Sequence, residues 1–394
     1  MTGGVRWMSV GPGSGYGYAS EDYLSGLRAF GVPVTWTPMG WPSDVWNASF
    51  GPVARADLDG AVHGDIAYSD ITHDTVVVHS VPVWHDRLEA ETSGRLLVAL
   101  TTWETDRLHH NWVPILNRYD RVLVPSHFNE AVFRSSGVTV PITVVPHVAR
   151  PVRTSAFDGR KEDDNRFVFY LVATWTTRKA ILDVVEAFLA AFTSAHDVVL
   201  IIHTTPVDYV AHARRRESDT RHSDATWFTL ARALGGRANV PDIVLSTRKL
   251  SQAEMDELHA RCDCFVSLSR GEGWGLGAFE AAARGKPVIV TGWSAAREFL
   301  PPDYPYFVDY DLIPTVDDEP DEWWQPRDGE RWARARIPHA TALLRHVFEH
   351  REEARAWGRT LQSHIHDNFN SALITRRLLD AIGTTPADPE SPSK

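Results

Sequence analysis

The stretch that decides the fold runs from Ser267 to Val290 and reads SLSRGEGWGLGAFEAAARGKPVIV. Before its loop, the apolar run Cys262 to Leu268 predicts a strand, and after it Ala278 to Arg284 is good helix-forming sequence closed by Gly285. Loop glycines let the backbone come close to a ligand, and the free N–H groups and dipole at a helix start favour an anion. The stretch therefore predicts a strand, a phosphate-binding loop, a helix and a second strand.

Two glutamates distinguish this loop from an ordinary phosphate loop. Glu272 lies in the loop and Glu280 lies one turn into the helix, with seven residues between them. Carboxylates beside a phosphate site suit hydroxyl groups, and a nucleotide sugar supplies both diphosphate and hydroxyls. The alternative is a strand-to-helix turn with two solvated glutamates. The spacing resembles the Glu-x7-Glu signature of the retaining GT-B glycosyltransferases of the group 1 (glycogen-synthase-like) family, and residues 285–289 resemble that family's Gly-x-Pro-Val-Ile.

A second loop, residues 175–179, carries an adjacent Arg178 and Lys179. It resembles the family's Gly-Arg-x4-Lys-Gly, in which two cations hold the diphosphate. The lysine matches at Lys179, whereas Thr174 stands where the family has arginine, and Arg178 is placed to compensate. Adjacent Arg and Lys suit phosphate binding, and a solvated pair is the alternative.

The N-terminal glycine loop, residues 11–17, lies between a predicted strand, Val5 to Val10, and a predicted helix, Ala19 to Phe30. Its Gly-x-Gly-x-Gly-x-Gly spacing differs from the dinucleotide fingerprint. The resemblance implies that this loop faces the cleft near the donor phosphates, which makes Gly15 and Gly17 donor-binding candidates; an ordinary turn is the alternative.

Two further candidates for the active site lie at or just after the ends of the strands predicted at 74–80 and 95–101. Ligands bind at the carboxyl ends of strands in parallel sheets. His79 ends the first strand, and it is either a cleft residue or a buried, satisfied histidine. Glu104 follows the second strand in a segment similar to the Thr-x-Trp-Glu-Thr of some of these transferases, although other members have a histidine in its place. The resemblance puts Glu104 where the acceptor or the donor sugar is contacted.

The resemblance implies two sets of site residues. Glu272 is assigned to the donor sugar and Glu280 to ribose hydroxyls. The catalytic candidates are Glu272, Lys179, Arg178, Glu104 and His79. The donor-binding candidates are Gly15, Gly17, Thr176, Gly273, Trp274, Gly275, Leu276 and Glu280.

The chain length of 394 residues is natural for two domains. The α/β alternation stops at a polar stretch and then restarts, which predicts an α/β protein of GT-B type, with two Rossmann-like domains whose parallel sheets face each other across a cleft. We expect domains at 1–150 and 167–365, a linker at 151–166 and a disordered tail at 384–394, with the final helices left open to cross back to the first domain.

The charge and composition of the chain limit the classes of molecule that it is expected to bind. The formal net charge is −11 and no lysine precedes residue 151, which disfavours nucleic acid and allows at most peripheral membrane contact, so we expect a soluble or saccharide acceptor. Neither a signal peptide nor an 18-residue apolar run is visible, so we expect a cytoplasmic protein. Cys262 and Cys264 fall on one face of a predicted strand and are poorly placed to bridge each other.

No metal or other cofactor is expected. Asp309-Tyr310-Asp311 has the Asp-x-Asp form that metal-dependent transferases of another fold use, but it comes late in the chain, after the nucleotide site is assigned. Cations and helix N–H groups can stabilise a departing diphosphate without a metal. The resemblance implies sugar transfer with retention of anomeric configuration. The alternatives are a nucleotide-sugar epimerase of the same fold and a non-catalytic nucleotide-sugar-binding subunit, which Thr174 makes conceivable.

Overall fold

The computed structural model describes residues 3–11, 14–40, 51–58, 62–87, 95–151, 166–208, 225–315 and 329–385. Nearly all of the predicted linker and of the predicted tail lies outside these ranges. The chain forms two units: residues 1–103, 107–150 and 368–394 make the first, and residues 104–106 and 151–367 make the second. The short segment 104–106 therefore belongs with the second unit although the residues around it belong with the first.

A seven-stranded sheet in the order β3-β2-β1-β4-β5-β6-β7 forms the core of the first unit. Its strands are β1 (Gly4–Val10), β2 (Val34–Gly40), β3 (Gly51–Pro52), β4 (His73–His79), β5 (Leu96–Leu100), β6 (Arg121–Val124) and β7 (Ile142–Val144). All pairs are parallel except β2 with β3. Trp7 lies opposite Trp36 and Val77 in the central strands. All three side chains are buried, as expected of parallel strands covered on both faces.

The α-helices that the structure describes between residues 1 and 150 are α1 (Gly15–Ala29), α2 (Trp112–Leu116) and α3 (His127–Ser135). The side chain of Ser14 caps α1 and that of Ser126 caps α3, each by accepting a hydrogen bond from a first-turn N–H group. The predicted strands and helices of this half are therefore present, with ends shifted by a few residues.

The second unit contains a six-stranded, all-parallel sheet in the order β10-β9-β8-β11-β12-β13. Its strands are β8 (Phe167–Val172), β9 (Val198–His203), β10 (Asp242–Ser246), β11 (Cys264–Ser267), β12 (Val288–Thr291) and β13 (Phe307–Val308). A separate antiparallel hairpin pairs β14 (Tyr310–Pro314) with β15 (Arg331–Ala335).

The helices of the second unit that the structure describes are α4 (Ile181–Ala191), α5 (Ala225–Leu234), α6 (Gln252–Arg261), α7 (Leu276–Ala283), α8 (Ala296–Phe299), α9 (Ile337–Glu349) and α10 (Arg351–Asn368). The strand, loop, helix and strand predicted from Ser267 to Val290 are β11, α7 and β12. The strand is shorter than predicted, because Cys262 serves as the C-cap of α6. Cys262 and Cys264 are both buried, and neither forms a disulfide.

The last helix, α11 (Ser371–Ile382), belongs to the first unit. It packs on α1 so closely that a Cβ atom added to Gly26 would lie 2.0 Å from Thr375 Oγ1. Arg121 in β6 also donates a 2.6 Å hydrogen bond to the carbonyl of Ala381. The chain thus returns to the first unit through this helix. From the sequence, it was open whether the final helices cross back to the first domain.

The order of the second sheet determines where a ligand can bind. The central strands β8, β11 and β12 are neighbours, so the loops at their carboxyl ends meet at one edge, which is where ligands bind in open parallel sheets. Within the described part of the chain, no helix is long and apolar enough to span a membrane.

Candidate active site

The loop between β11 and α7 ends in a backbone conformation that requires glycine. Gly275, the N-cap of α7, has φ of +90° and ψ of +54°, which residues with a side chain rarely adopt. A glycine cap supplies no side-chain oxygen, and no side-chain hydrogen bond caps this helix. The first N–H groups of α7, from Leu276 onward, have no acceptor within the helix and are suited to bind an anion.

Gly271 allows another part of the second unit to approach the same loop. A Cβ atom on Gly271 would lie 1.8 Å from the carbonyl oxygen of Glu104, so any other residue would push the two segments apart. The segment 104–106 is also bound through Thr105, whose hydroxyl donates to the Glu330 carboxylate at 2.7 Å, and both of these side chains are buried. Glu104 is thereby placed beside the loop between β11 and α7, which we call the phosphate-type loop.

The two predicted cations, Lys179 and Arg178, both turn toward the Glu272 loop. Lys179 Nζ lies 2.5 Å from Glu272 Oε1. Arg178 donates to the carbonyl of Gly271 at 2.8 Å and lies 3.4 Å from Glu272 Oε2. Their side chains are only 21% and 19% exposed. The alternative of a solvated Arg-Lys pair is therefore wrong for these residues.

Glu104 completes a cluster of alternating charges. Its Oε1 lies 3.5 Å from Arg178 Nη2, so Arg178 lies between two carboxylates, Glu104 and Glu272. With Lys179 the cluster holds two cations and two anions, and its formal charge is zero. An arriving diphosphate would therefore have to share cations that the protein already pairs with its own acids.

The pKa directions follow from burial and from these ion pairs. Burial raises the pKa of Glu272, but the charges of Lys179 and Arg178 outweigh it and hold that pKa below its ordinary value. For Lys179, burial lowers the pKa and the Glu272 carboxylate opposes the change. The 2.5 Å contact between the two side chains is that of a charge-assisted hydrogen bond.

The backbone of Glu272 is fixed by a segment that the sequence did not single out. Its N–H donates to Ser294 Oγ at 3.1 Å, and its carbonyl accepts from the N–H of Ala295 at 3.4 Å. Ser294 has φ of +58°, which is uncommon for a residue other than glycine. No local sequence pattern marks a serine in this conformation, so only the structure identifies its role in holding Glu272.

A cavity of about 50 Å³ lies at the carboxyl ends of β8, β11 and β12. Its charged and hydroxyl-bearing lining residues are Lys179, Ser267, Ser269, Glu272, Thr291 and Ser294. The hydroxyl of Thr291 is buried and makes no hydrogen bond within the described part of the chain, so the cavity offers a polar group to a ligand. The volume has room for only a few water-sized groups, and the bulk of a nucleotide would therefore lie outside it.

Glu280 belongs to a second polar cluster with different partners. Its Oε2 lies 3.8 Å from Arg284 Nη1 and 3.8 Å from His259 Nε2, and the side chain is 21% exposed. Arg284 is in turn bound to Asp256 at 2.6 Å. The two glutamates of the seven-residue spacing are therefore held by separate sets of groups, which is consistent with separate roles.

Thr176, Gly273 and Trp274, which are also donor-binding candidates, lie in the two loops of the second unit. The ring of Trp274 is 3% exposed and packs against Phe279 and Phe299, and the residue also lines the small cavity. Thr176 Oγ1 accepts a 3.3 Å hydrogen bond from the N–H of Lys179. This bond helps to shape the loop of residues 175–179, which we call the cation loop. Gly273, like Trp274, is buried within the phosphate-type loop.

Three of the predicted site residues, Gly15, Gly17 and His79, lie in the first unit. Gly15 is the first residue of α1, and the N–H of Gly17 donates to Ser14 Oγ at 3.0 Å, so this N–H group already serves the helix cap. His79 is 2% exposed, and its Nδ1 lies 2.6 Å from Ser20 Oγ. Burial lowers its pKa well below the ordinary value. This is the environment of a buried, satisfied histidine, which was one of the two interpretations of His79.

The two aspartates of the Asp-x-Asp triplet, Asp309 and Asp311, pair with different side chains. Asp311 pairs with Arg336 at 2.7 Å, and Asp309 lies 3.1 Å from His339 Nδ1. Among the described residues, no group of three or more His, Cys, Asp or Glu side chains is arranged to hold a metal ion. The expectation that the reaction needs no metal stays a prediction.

Comparison with known proteins gives a partial sequence match and a fold. The sequence profile described as Family 4 Glycosyltransferase in conflict systems matches residues 230–372. No curated protein has a matching sequence.

Solved structures of similar fold include Anabaena HepE in complex with UDP and glucose, with 13% identity, a TM-score of 0.62, and coverage of 97% of this chain and 99% of that chain. The UDP-forming α,α-trehalose-phosphate synthase of Burkholderia vietnamiensis gives 12% identity, a TM-score of 0.65, and coverage of 97% and 99%. The pneumococcal O-GlcNAc transferase GtfA in complex with UDP and GlcNAc gives 10% identity, a TM-score of 0.62, and coverage of 97% and 99%. Likeness at such low identity establishes the fold alone.

These findings agree with the predicted resemblance: the chain has the GT-B fold of two Rossmann-like α/β units, and residues 230–372 match the profile of a glycosyltransferase family.

Proposed function

We propose that the chain transfers a sugar from a nucleoside-diphosphate sugar to an acceptor hydroxyl, with retention of anomeric configuration and without a metal. The family profile supports glycosyl transfer. Two proteins of similar fold, HepE and GtfA, were crystallised with UDP and a sugar, which makes UDP-sugars the first donors to test.

The observation that carries the proposal is the convergence of Lys179 and Arg178 on the Glu272 loop. A diphosphate bound here would meet two cations and the first N–H groups of α7. Negative charge grows on the leaving diphosphate as the glycosidic bond breaks, and preorganised donors of this kind stabilise it. The cations from residues 175–179, the helix N–H groups and the Glu272 carboxylate for the sugar then meet at one place.

Glu272 is poorly suited to act as a covalent nucleophile. Its carboxylate is paired with Lys179 at 2.5 Å and with Arg178 at 3.4 Å, and both cations stabilise its charge and hold its pKa low. We therefore propose front-face attack. The bond from the anomeric carbon to the leaving phosphate oxygen breaks, the acceptor oxygen bonds to that carbon on the same face, and the acceptor proton passes to the leaving phosphate oxygen.

We assign to Glu104 the role of holding the Arg178 side chain in position. A guanidinium shared between Glu104 and Glu272 is held from both sides, which reduces its freedom before a diphosphate binds. The acceptor is proposed to be a soluble molecule or a saccharide, because the chain carries a formal net charge of −11.

The test combines a donor screen with product analysis. Thermal unfolding is followed with UDP-, GDP-, ADP- and dTDP-sugars, and the best donor is then incubated with and without a panel of saccharide acceptors. NMR of the product should show the anomeric configuration of the donor. An inverted product would refute retention, sugar conversion without acceptor would identify an epimerase, and binding without turnover across the panel would favour a non-catalytic subunit.

A further inference from the structure

A chain of buried polar groups lies behind Glu280. Tyr170 in β8 is fully buried, and its hydroxyl lies 2.7 Å from His259 Nδ1 in α6. His259 is 1% exposed, and its Nε2 lies 3.8 Å from Glu280 Oε2. The Tyr170–His259–Glu280 series therefore connects the core of the second unit to a carboxylate at the surface of the proposed donor site.

The contacts determine which ring nitrogen of His259 carries the proton. Burial lowers the pKa of His259 and favours the neutral ring, in which one nitrogen donates and the other accepts. A proton on Nδ1 would leave the Nε2 lone pair facing the Glu280 carboxylate, which is repulsive. A proton on Nε2 gives attraction instead, and Nδ1 then accepts a hydrogen bond from the Tyr170 hydroxyl. Burial raises the pKa of Tyr170 well above its ordinary value, so this hydroxyl keeps its proton.

A second group anchors the same carboxylate oxygen. Arg284 Nη1 lies 3.8 Å from Glu280 Oε2, and Arg284 is 6% exposed and bound to Asp256 at 2.6 Å. His259 from α6 and Arg284, the C-cap of α7, therefore approach one oxygen of the carboxylate. Contacts of 3.8 Å are longer than direct hydrogen bonds, so they act by electrostatic orientation of the carboxylate.

We propose that Tyr170 and His259 are positioning residues that orient the Glu280 carboxylate toward the ribose hydroxyls of the nucleotide. The inference rests on the proposed function, because it takes Glu280 as the ribose ligand. It adds two residues from other elements, Tyr170 and His259, whose burial leaves them to act through Glu280. A carboxylate whose orientation is fixed in advance loses less conformational freedom when it binds hydroxyl groups, and this strengthens binding.

The decisive experiment is a double-mutant cycle read by calorimetry, with the nucleoside diphosphate of the donor that stabilises the wild type most. His259→Leu should weaken binding by about tenfold through the lost electrostatic orientation of the carboxylate. Glu280→Ala should weaken it by about ten- to hundred-fold, as for losing hydrogen bonds to a charged group. The double variant His259→Leu/Glu280→Ala should bind like Glu280→Ala, because His259 acts only through that carboxylate. Losses that multiply in the double variant would overturn the proposal.

Two further variants separate positioning from mere packing. In His259→Gln the side-chain amide can place a donor near the former Nε2, so nucleotide binding should recover relative to His259→Leu. Tyr170→Phe removes only the hydroxyl, and it should weaken binding by about threefold or more while the protein stays folded, as judged by thermal unfolding. Loss of binding in His259→Leu with no recovery in His259→Gln, although both fold, would show that His259 only packs.

The tautomer gives an independent readout. Nitrogen-15 NMR of the histidine rings should show His259 protonated on Nε2 and unprotonated on Nδ1, and Tyr170→Phe should change the Nδ1 shift. A ring protonated on Nδ1 would overturn the proposal.

The outcomes also separate this inference from the proposed function. If Glu280→Ala binds the nucleoside diphosphate as tightly as wild type, the ribose assignment of Glu280 fails and the inference fails with it. If Glu280→Ala weakens binding while His259→Leu and Tyr170→Phe do not, the ribose assignment stands and only the positioning role of His259 is refuted.

Discussion

Lys179→Ala tests the assignment of the diphosphate site most directly. Lys179 forms the shortest contact to Glu272, at 2.5 Å, and both side chains are about one-fifth exposed. Thr174, which stands where the family has an arginine, is exposed and supplies no cation. Lys179 should therefore carry a large share of the stabilisation that the leaving diphosphate needs.

The magnitude follows from the charges of the cluster. Lys179, Arg178, Glu272 and Glu104 together carry a formal charge of zero, and Lys179→Ala leaves one cation with two carboxylates. Arg178 cannot compensate fully, because it is already shared between Glu104 at 3.5 Å and Glu272 at 3.4 Å. Loss of one preorganised stabilising group costs about a hundred-fold or more, or about 2.7 kcal/mol, and we expect at least this loss in kcat/KM.

The assay measures initial rates over a range of donor concentrations at saturating acceptor. Because charge on the leaving oxygens grows in the transition state, both kcat and KM should be affected, with the larger effect on kcat. Lys249→Ala serves as the matched control, since Lys249 is an exposed lysine of the same unit and its loss changes the net charge equally. Its kcat/KM should stay within about twofold of wild type.

A folded Lys179→Ala enzyme with kcat/KM close to that of Lys249→Ala would refute the reasoning. The cation loop would then not hold the diphosphate, and the donor site of the second unit would have to be reassigned.

The remaining predictions concern the acids of the site and the metal. Glu280→Ala should weaken binding of the nucleoside diphosphate by about ten- to hundred-fold in calorimetry, and unchanged affinity would contradict the ribose role. Glu272→Ala should remove transfer in a product assay yet bind the diphosphate at least as tightly as wild type, because it releases Lys179 and Arg178 from competition; a much weaker affinity would argue against this. Activity should survive EDTA, and loss of turnover that manganese restores would bring Asp309 and Asp311 back as metal ligands. Glu272 has a depressed pKa in the folded chain, so its stabilising contribution is present above its ordinary pKa of 4.5 and lost as pH falls through the folded value; unfolding midpoints should therefore fall more steeply below about pH 4.5 for wild type than for Glu272→Gln, and equal slopes would contradict the ion-pair assignment.

Local sequence was enough to predict the elements that carry the site. The strand β11, the loop, the helix α7 and the strand β12 follow from apolar runs, helix-forming residues and glycines at the turns, all of which act within a few residues. The seven-residue spacing of Glu272 and Glu280 likewise fixed one in a loop and one on the following helix. The α/β alternation predicted two parallel sheets, and the structure contains them.

Only the tertiary structure decided which of these residues meet. Lys179 and Glu272 are 93 residues apart in sequence, and they are brought together because β8 and β11 are neighbours in the sheet. The partners of Glu280 come from α6 and α7, and Ser294 holds Glu272 through a backbone conformation that no residue pattern reveals. The ring of Trp274, a predicted donor-binding residue, packs against Phe279 and Phe299, two contacts that only the structure shows. Periodicity and turn residues are read from neighbours along the chain, whereas ion pairs and burial depend on strand order and helix packing between distant segments.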